Sequence, residues 1–150
     1  MSGYKSEWRG LVEMQEGCTF EIEDGYYIAP AVDATDKLGD EEALKALMAG
    51  RVIFKGLTIA PSTIDGEEGE YAFLYNWNGS GMEGSNSDLY FNASLNGQVY
   101  TFTVESDEVP EGSDTYTAVT RLNIGDTVDI EGFLYWYNTA ETHVHEITVK

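Results

Sequence analysis

Basic residues are scarce in this sequence. Only 8 Lys and Arg stand against 27 Asp and Glu, which gives a formal net charge of −19 at pH 7. A protein that grips phosphate backbones needs clustered cations to displace the bound counterions. Nucleic acids, heparin-like polyanions and anionic membrane surfaces are therefore excluded as expected partners.

Cysteine and long apolar runs are scarce as well. The single cysteine, Cys18, excludes an internal disulfide, and its place in an alternating segment is more typical of a small buried side chain than of a nucleophile. No run of about 18 apolar residues is present, so we expect no membrane-spanning helix. Residues 1–8 have neither the basic nor the apolar region that opens a signal peptide. We therefore expect either a cytosolic protein or an extracellular chain that lacks its signal peptide.

Apolar and aromatic side chains, in contrast, are abundant. The sequence is 42% hydrophobic and 13% aromatic, with 10 Tyr, 6 Phe and 3 Trp. An acidic disordered tail would have far less to bury. A length of 150 residues then predicts one folded domain.

The first part of the chain predicts short strands, a loop and one helix. Apolar and polar residues alternate over 8–14 and 18–22, and a turn at Asp24 and Gly25 leads into residues 26–28. Asp40 is placed to cap a helix with an apolar stripe that ends at Gly50. We therefore expect N-terminal strands at 1–30, from or docked to an adjacent module, a linker with a short helix at 31–50, and a β-barrel at 51–150.

Strand patterns dominate the rest of the chain. Residues 51–59 and 127–137 each carry a central glycine, Gly56 and Gly132, as strands do where they bend. Residues 71–77 and 143–149 also alternate, and residues 115–122 predict a short helix capped by Ser113 or Asp114. Five strands with a helix between the third and fourth are the layout of an OB-like Greek-key barrel. The expected fold class is all-β, with one or two short helices.

The pairing register of one hairpin can be predicted from the sequence alone. Asn96-Gly97 stands between two apolar runs and favours a two-residue type I′ turn. That turn pairs Leu95 with Gln98 and, farther along, Phe91 with Phe102. A slip by one residue would bring the polar face into the core, so the register is well specified.

Several segments carry a family resemblance. Residues 124–134 (IGDTVDIEGFL) resemble the G-D-x-V-x-(V/I)-x-G strand of bacterial OB-fold modules. Residues 71–77, 100–105 and 133–138 are similar to repeats in secreted or lipid-anchored surface proteins of gut Firmicutes, and residues 3–13 are similar to the closing strand of a preceding unit. The resemblance implies an OB fold, an extracellular or cell-surface address and neighbouring modules in the same full-length chain, and it transfers no catalytic residue.

Aromatic side chains give the candidate binding site. The rings of residues 71–77 and 135–137 exceed what a small barrel core needs, and OB-folds bind ligands across their second and third strands. The predicted ligand-binding residues are Tyr75, Trp77, Tyr90, Asn92, Tyr135 and Tyr137. The competing interpretation is that the rings cover the barrel ends or the junction with the N-terminal strands.

Metal and catalytic sites are not expected. His143 and His145 lie on one face of the last strand, but without a third predicted ligand they are more typical of a solvated edge. The acidic loops lack the spacing of a dedicated Ca²⁺ loop and are better explained as a solubilising surface. No assembled acid, base or nucleophile is identifiable, so we expect neither an enzyme nor a cofactor.

The sequence thus predicts a non-catalytic extracellular binding module, expected to be a monomer, with a carbohydrate or protein ligand on the aromatic face. The alternative is a purely structural spacer repeat of a multi-module surface protein. A small hydrolase is the least favoured interpretation, because the motifs of assembled active sites are missing.

Overall fold

Nine strands and two short α-helices form the chain, in a computed structural model that describes residues 1–150. The strands are β1 (Lys5–Trp8), β2 (Leu11–Met14), β3 (Val32–Asp33), β4 (Arg51–Ala60), β5 (Leu74–Tyr75), β6 (Leu89–Leu95), β7 (Gln98–Val104), β8 (Thr127–Tyr137) and β9 (Thr139–Val149). The helices are α1 (Glu41–Lys45) and α2 (Asp114–Val119). No helix has the length and apolar character needed to cross a membrane.

Five of these strands close into a barrel. The hydrogen-bonded order is β4-β8-β9-β7-β6, and a further pairing of β4 with β6 joins the two ends. All of these pairs are antiparallel except β7 with β9, and α2 stands between the third and fourth barrel strands. This order, with its helix in that place, is the OB-fold, which confirms the predicted fold class.

Two glycines allow the strands to bend. Gly56 adopts a φ of 69°, and the register of β4 against β8 shifts between Phe54 and Leu57. Gly132 lies where β8 shifts against β9, and a Cβ on it would approach the carbonyl carbon of His143 to 2.9 Å. Both glycines therefore serve the barrel corners that the sequence predicts.

The hairpin of β6 and β7 has the predicted register. Leu95 pairs with Gln98 and Phe91 with Phe102, and Asn96 and Gly97 both have positive φ, as a type I′ turn requires. Phe91 and Phe102 stack with their centroids 5.6 Å apart. They belong to a single cluster of 21 buried residues that fills the barrel.

Both helices begin at the predicted caps. The Asp40 carboxylate accepts a hydrogen bond from the Ala43 N–H at 3.0 Å, and the Ser113 hydroxyl accepts one from the Tyr116 N–H at 3.3 Å. Tyr116 is buried and donates its own hydroxyl to the Ser87 carbonyl at 2.7 Å. The helix α2 thereby closes one end of the barrel.

The N-terminal strands differ from the prediction. Residues 8–14 do not form one strand, because Arg9 and Gly10 take positive φ and turn the chain between β1 and β2. Residues 18–22 and 26–28 are not strands either. Their apolar side chains are exposed, since no neighbouring strand pairs with them: Phe20, Ile22, Tyr26, Tyr27 and Ile28.

The predicted strand at residues 71–77 is also mostly absent. Only Leu74 and Tyr75 pair with β6. Asn76 then takes a left-handed φ of 59° and turns the chain into the loop before β6. The four rings of this segment therefore do not share one face, which the alternation alone would require.

Candidate functional site

The hairpin of β1 and β2 lies against one end of the barrel. The Asn138 N–H donates to the Arg9 carbonyl at 2.7 Å, and Gly10 forms an isolated antiparallel bridge with Tyr137. Gly10 packs so closely on the Trp136 ring that a Cβ at this position would lie 2.8 Å from the indole Nε1. Only glycine therefore allows the hairpin to approach the β8–β9 turn this closely.

A cleft of about 850 Å³ opens between this hairpin and the barrel. Its lining comes from β1, β2, the loop before β6, β6 itself, the loop after β7, and the β8–β9 hairpin. The residues that line it are Trp8, Leu11, Glu13, Trp77, Tyr90, Glu105, Tyr135, Trp136, Tyr137, Glu141 and His143. The volume is within the range of small-molecule and cofactor sites.

Aromatic rings form most of this lining. Trp8 and Tyr137 meet with their centroids 5.1 Å apart at 53°, and Tyr135 stacks on the His143 ring with centroids 4.0 Å apart. The chain has three tryptophans, and all three line the cleft. Trp77 keeps 73% of its surface exposed, so one large ring is open to a ligand.

Carboxylates supply the polar part of the lining. Burial, together with the negative charges of Asp88, Glu141, Glu108 and Asp107, raises the pKa of Glu105 to about 7. The same loss of hydration raises the pKa of Tyr90 to about 12. Tyr135 has a raised pKa for the same reason, and its hydroxyl donates to the Glu108 carboxylate at 3.4 Å. The cleft is thus a partly dehydrated site with an excess of negative charge.

The two histidines flank Glu108. His145 Nε2 lies 3.2 Å and His143 Nδ1 3.4 Å from Glu108 Oε2. His143 is not a solvated edge residue as predicted, because its side chain is only 14% exposed beneath Tyr135. No group of three or more His, Cys, Asp or Glu side chains is arranged to hold a metal ion.

Four of the six predicted ligand-binding residues come together in the cleft: Trp77, Tyr90, Tyr135 and Tyr137. Tyr75 lies elsewhere, in a separate hollow of about 270 Å³ beside Tyr116. Asn92 donates to the Pro61 carbonyl at 3.2 Å and accepts from Thr101 at 2.9 Å. The Asn92 side chain is therefore hydrogen-bonded to neighbouring residues of the barrel, and it is not part of the cleft.

The cleft also contains residues that the sequence did not predict as site residues. Trp8 and Leu11 enter it because their hairpin docks on the barrel, and Glu105, Glu141 and His143 meet because β7 and β9 run in parallel. The Arg9-Gly10 pair was a sequence signal for a turn between β1 and β2. The parallel pairing of β7 with β9, in contrast, has no local signal in the sequence.

The combination of aromatic rings and carboxylates suits a ligand that has both apolar faces and hydrogen-bond donors. Exposed aromatic faces stack on apolar faces of a ligand, and carboxylates accept hydrogen bonds from hydroxyl or ammonium groups. OB-folds bind oligonucleotides and oligosaccharides with the loops between their first and second and between their fourth and fifth barrel strands. In this chain the corresponding loops lie between β4 and β6, where Trp77 is found, and between β8 and β9, where Asn138 is found.

Comparison with known proteins identifies no family for this chain. No protein-family model matches the sequence, and no curated protein matches it. Two solved structures of asparaginyl-tRNA synthetase from Pyrococcus horikoshii, one of them complexed with asparaginyl-adenylate, are similar at 15% sequence identity and a TM-score of 0.44. Each match covers 69% of this chain and 20% of the synthetase chain, so the chain spans about a fifth of that protein's length.

Proposed function

We propose that this chain is a non-catalytic module that binds carbohydrate in the cleft between the N-terminal hairpin and the barrel. The observation that carries the proposal is the convergence of Trp8, Trp77, Tyr90, Tyr135 and Tyr137 on one cavity of about 850 Å³. Rings from four separate parts of the chain meet there, and Trp77 remains largely open. Sugar rings present the flat C–H faces that such aromatic side chains contact.

The charge of the cleft supports a sugar over a nucleic acid. Glu13, Glu105 and Glu141 line it, and no Lys or Arg does. Phosphate groups would meet these carboxylates without any counter-charge. Hydroxyl groups, in contrast, donate to carboxylates without an electrostatic penalty. An extracellular address remains part of the proposal on the sequence resemblance alone.

The direct test is a glycan array followed by calorimetric titration of the best ligand. Trp77→Ala should weaken binding at least tenfold, because removal of a central aromatic contact costs about 2 kcal/mol. Its fold should be unaffected, since the side chain is 73% exposed. Tyr26→Ala is the matched control, as Tyr26 is an aromatic residue that is 92% exposed outside the cleft.

Each outcome has a distinct meaning. Loss of binding in Trp77→Ala with wild-type binding in Tyr26→Ala supports the proposal. No binding to any glycan contradicts it and favours the structural spacer module. Binding to a protein, with no glycan bound, would replace the carbohydrate with a protein ligand in the same cleft.

One observation favours a second candidate function, hydrolysis of a bound glycan. Glycosidases pair a carboxylic acid of raised pKa with a second carboxylate, and Glu105, with a pKa of about 7, lies near Glu141 in the cleft. New reducing ends, measured after prolonged incubation with the glycan that binds best, would favour this activity if Glu105→Gln abolished them. A constant oligosaccharide profile would contradict it.

A further inference from the structure

The carboxylates of the cleft have no Lys or Arg partner among the residues of the chain. Four of the eight Lys and Arg form ion pairs elsewhere, with Asp36, Glu131, Asp33 and Asp129. Glu13 and Glu141 take part in no salt bridge, and Glu105 has only the His143 ring nearby, with Nε2 3.9 Å from its carboxylate. The cleft therefore holds carboxylates with which no Lys or Arg of the chain pairs.

The rings of the cleft already attract cations at its rim. The Arg9 guanidinium lies 5.7 Å from the centroid of Tyr137, and the Lys45 ammonium lies 5.5 Å from that of Trp136. Both distances are within the range of cation–π interactions. Neither cation lines the cavity itself, and Trp77, which is 73% exposed, keeps an open ring in the cleft for a positive group from outside.

We propose that the cleft prefers a saccharide that carries a protonated amine, an amino sugar that is not N-acetylated. The carbohydrate part rests on the proposed function, and the amine is inferred from the pairing of aromatic faces with Glu13, Glu105 and Glu141, carboxylates that pair with no Lys or Arg. The volume of about 850 Å³ is far larger than a lone cation needs, so the charge belongs to a larger ligand. Uronic acids and sulfated sugars are disfavoured, because their charge repels the same carboxylates.

The titration behaviour of the cleft supports this preference. Burial and four neighbouring carboxylates, those of Asp88, Glu141, Glu108 and Asp107, raise the pKa of Glu105 in the free protein to about 7. His143 and the phenols of Tyr90 and Tyr135, both with raised pKa values, also face it. A bound ammonium would lower the pKa of Glu105, because an opposite charge favours the ionised form.

The test is a pair of calorimetric titrations of the full chain at low salt. One ligand is a glucosamine oligosaccharide with free amines, and the other is its N-acetylated counterpart of the same length. We expect the free-amine ligand to bind about fivefold tighter, as a partly exposed charge pair contributes at most about a factor of five. The preference should shrink towards about twofold in about 0.5 M NaCl, because salt screens such pairs.

Charge variants assign the preference to the cleft. Glu141→Gln should reduce the preference to about half and leave the affinity for the N-acetylated ligand within about twofold, since the ring contacts remain. Glu68→Gln is the matched control, because Glu68 is an exposed carboxylate outside the cleft. It should keep the full preference, as a solvated charge outside the cleft makes no contact with the ligand.

The outcomes separate this inference from the proposed function. Equal affinity for the two oligosaccharides overturns the preference for an amine and leaves carbohydrate binding intact. Binding of neither oligosaccharide, with a lysine peptide bound instead, overturns both statements. A preference that is undiminished in Glu141→Gln, or that falls equally in Glu68→Gln, also overturns the assignment to these carboxylates.

Discussion

Replacement of Gly10 by alanine should undock the N-terminal hairpin and leave the barrel folded. A Cβ at Gly10 would lie 2.8 Å from Trp136 Nε1, whereas ordinary contacts begin at 3.4 Å, and the backbone has a φ of +94°. Ring and hairpin must therefore separate by several tenths of an ångström or more. Overpacking of this kind costs about 1–3 kcal/mol, and the positive φ costs an alanine about 1–2 kcal/mol.

The interactions that hold the hairpin are of similar size. The Arg9–Asn138 hydrogen bond contributes about 1 kcal/mol, and the contact of Trp8 with Tyr137 contributes about 0.5–1.5 kcal/mol. Arg9 over the Tyr137 ring adds about 0.5–1 kcal/mol. These three contacts sum to about 2–3.5 kcal/mol, which is comparable to the cost of the substitution, so the end of the hairpin that contacts Tyr137 and Asn138 should be undocked for a large share of the time.

Hydrogen exchange at the Asn138 amide measures this directly, because that N–H donates to the Arg9 carbonyl. We expect its protection to fall about 10- to 100-fold in Gly10→Ala, while amides of β6 and β7 keep theirs. Gly17→Ala is the matched control, since Gly17 has a φ of +86° and an added Cβ would meet nothing within 4 Å. Unchanged protection at Asn138, or an equal loss in Gly17→Ala, would refute the reasoning.

Three further predictions concern the barrel and its electrostatics. Gly132→Ala should lower the free energy of unfolding by about 3 kcal/mol or more, and the melting temperature with it, because its Cβ would lie 2.9 Å from the His143 carbonyl carbon; a wild-type melting temperature would contradict the close approach of β8 to β9. Ser113→Ala should cost about 1 kcal/mol in urea unfolding by removing the cap of α2, and Ser113→Asp should restore most of it. For Glu105, a folded pKa of about 7 above the ordinary 4.5 means that the folded state holds the proton more tightly, so its ionisation lowers stability as pH rises from 4.5 to 7. The full shift corresponds to about 3.4 kcal/mol, which solvent at a side chain 29% exposed reduces to about 1–2 kcal/mol; Glu105→Gln should remove this loss, and an identical pH profile of unfolding in the variant would contradict it.

The barrel was predictable from sequence because its signals are local. The Asn96-Gly97 turn fixes the register of β6 and β7 through its own backbone geometry. Gly56 and Gly132 mark bends within the strands that contain them. In each case the residue that indicates a turn or bend in the sequence is also the residue that forms it in the structure.

The cleft was only partly predictable, because long-range contacts build it. Alternation over residues 71–77 predicts one strand, but a left-handed Asn76 separates Tyr75 from Trp77 and sends them to different cavities. Glu105 and Glu141 come from segments that meet only through the parallel pairing of β7 with β9. The aromatic composition predicted a cluster of rings at the surface, whereas the charge of the cleft depends on the topology.

The central claim is that the cleft holds the carbohydrate. All three tryptophans of the chain line it, so every indole N–H signal in a ¹⁵N-correlated NMR spectrum comes from a residue of this cavity. Titration with the oligosaccharide that binds best should shift the signals of Trp8, Trp77 and Trp136 together, with one dissociation constant. Saturating ligand that leaves all three signals in place, while amides elsewhere in the barrel shift, would contradict the account.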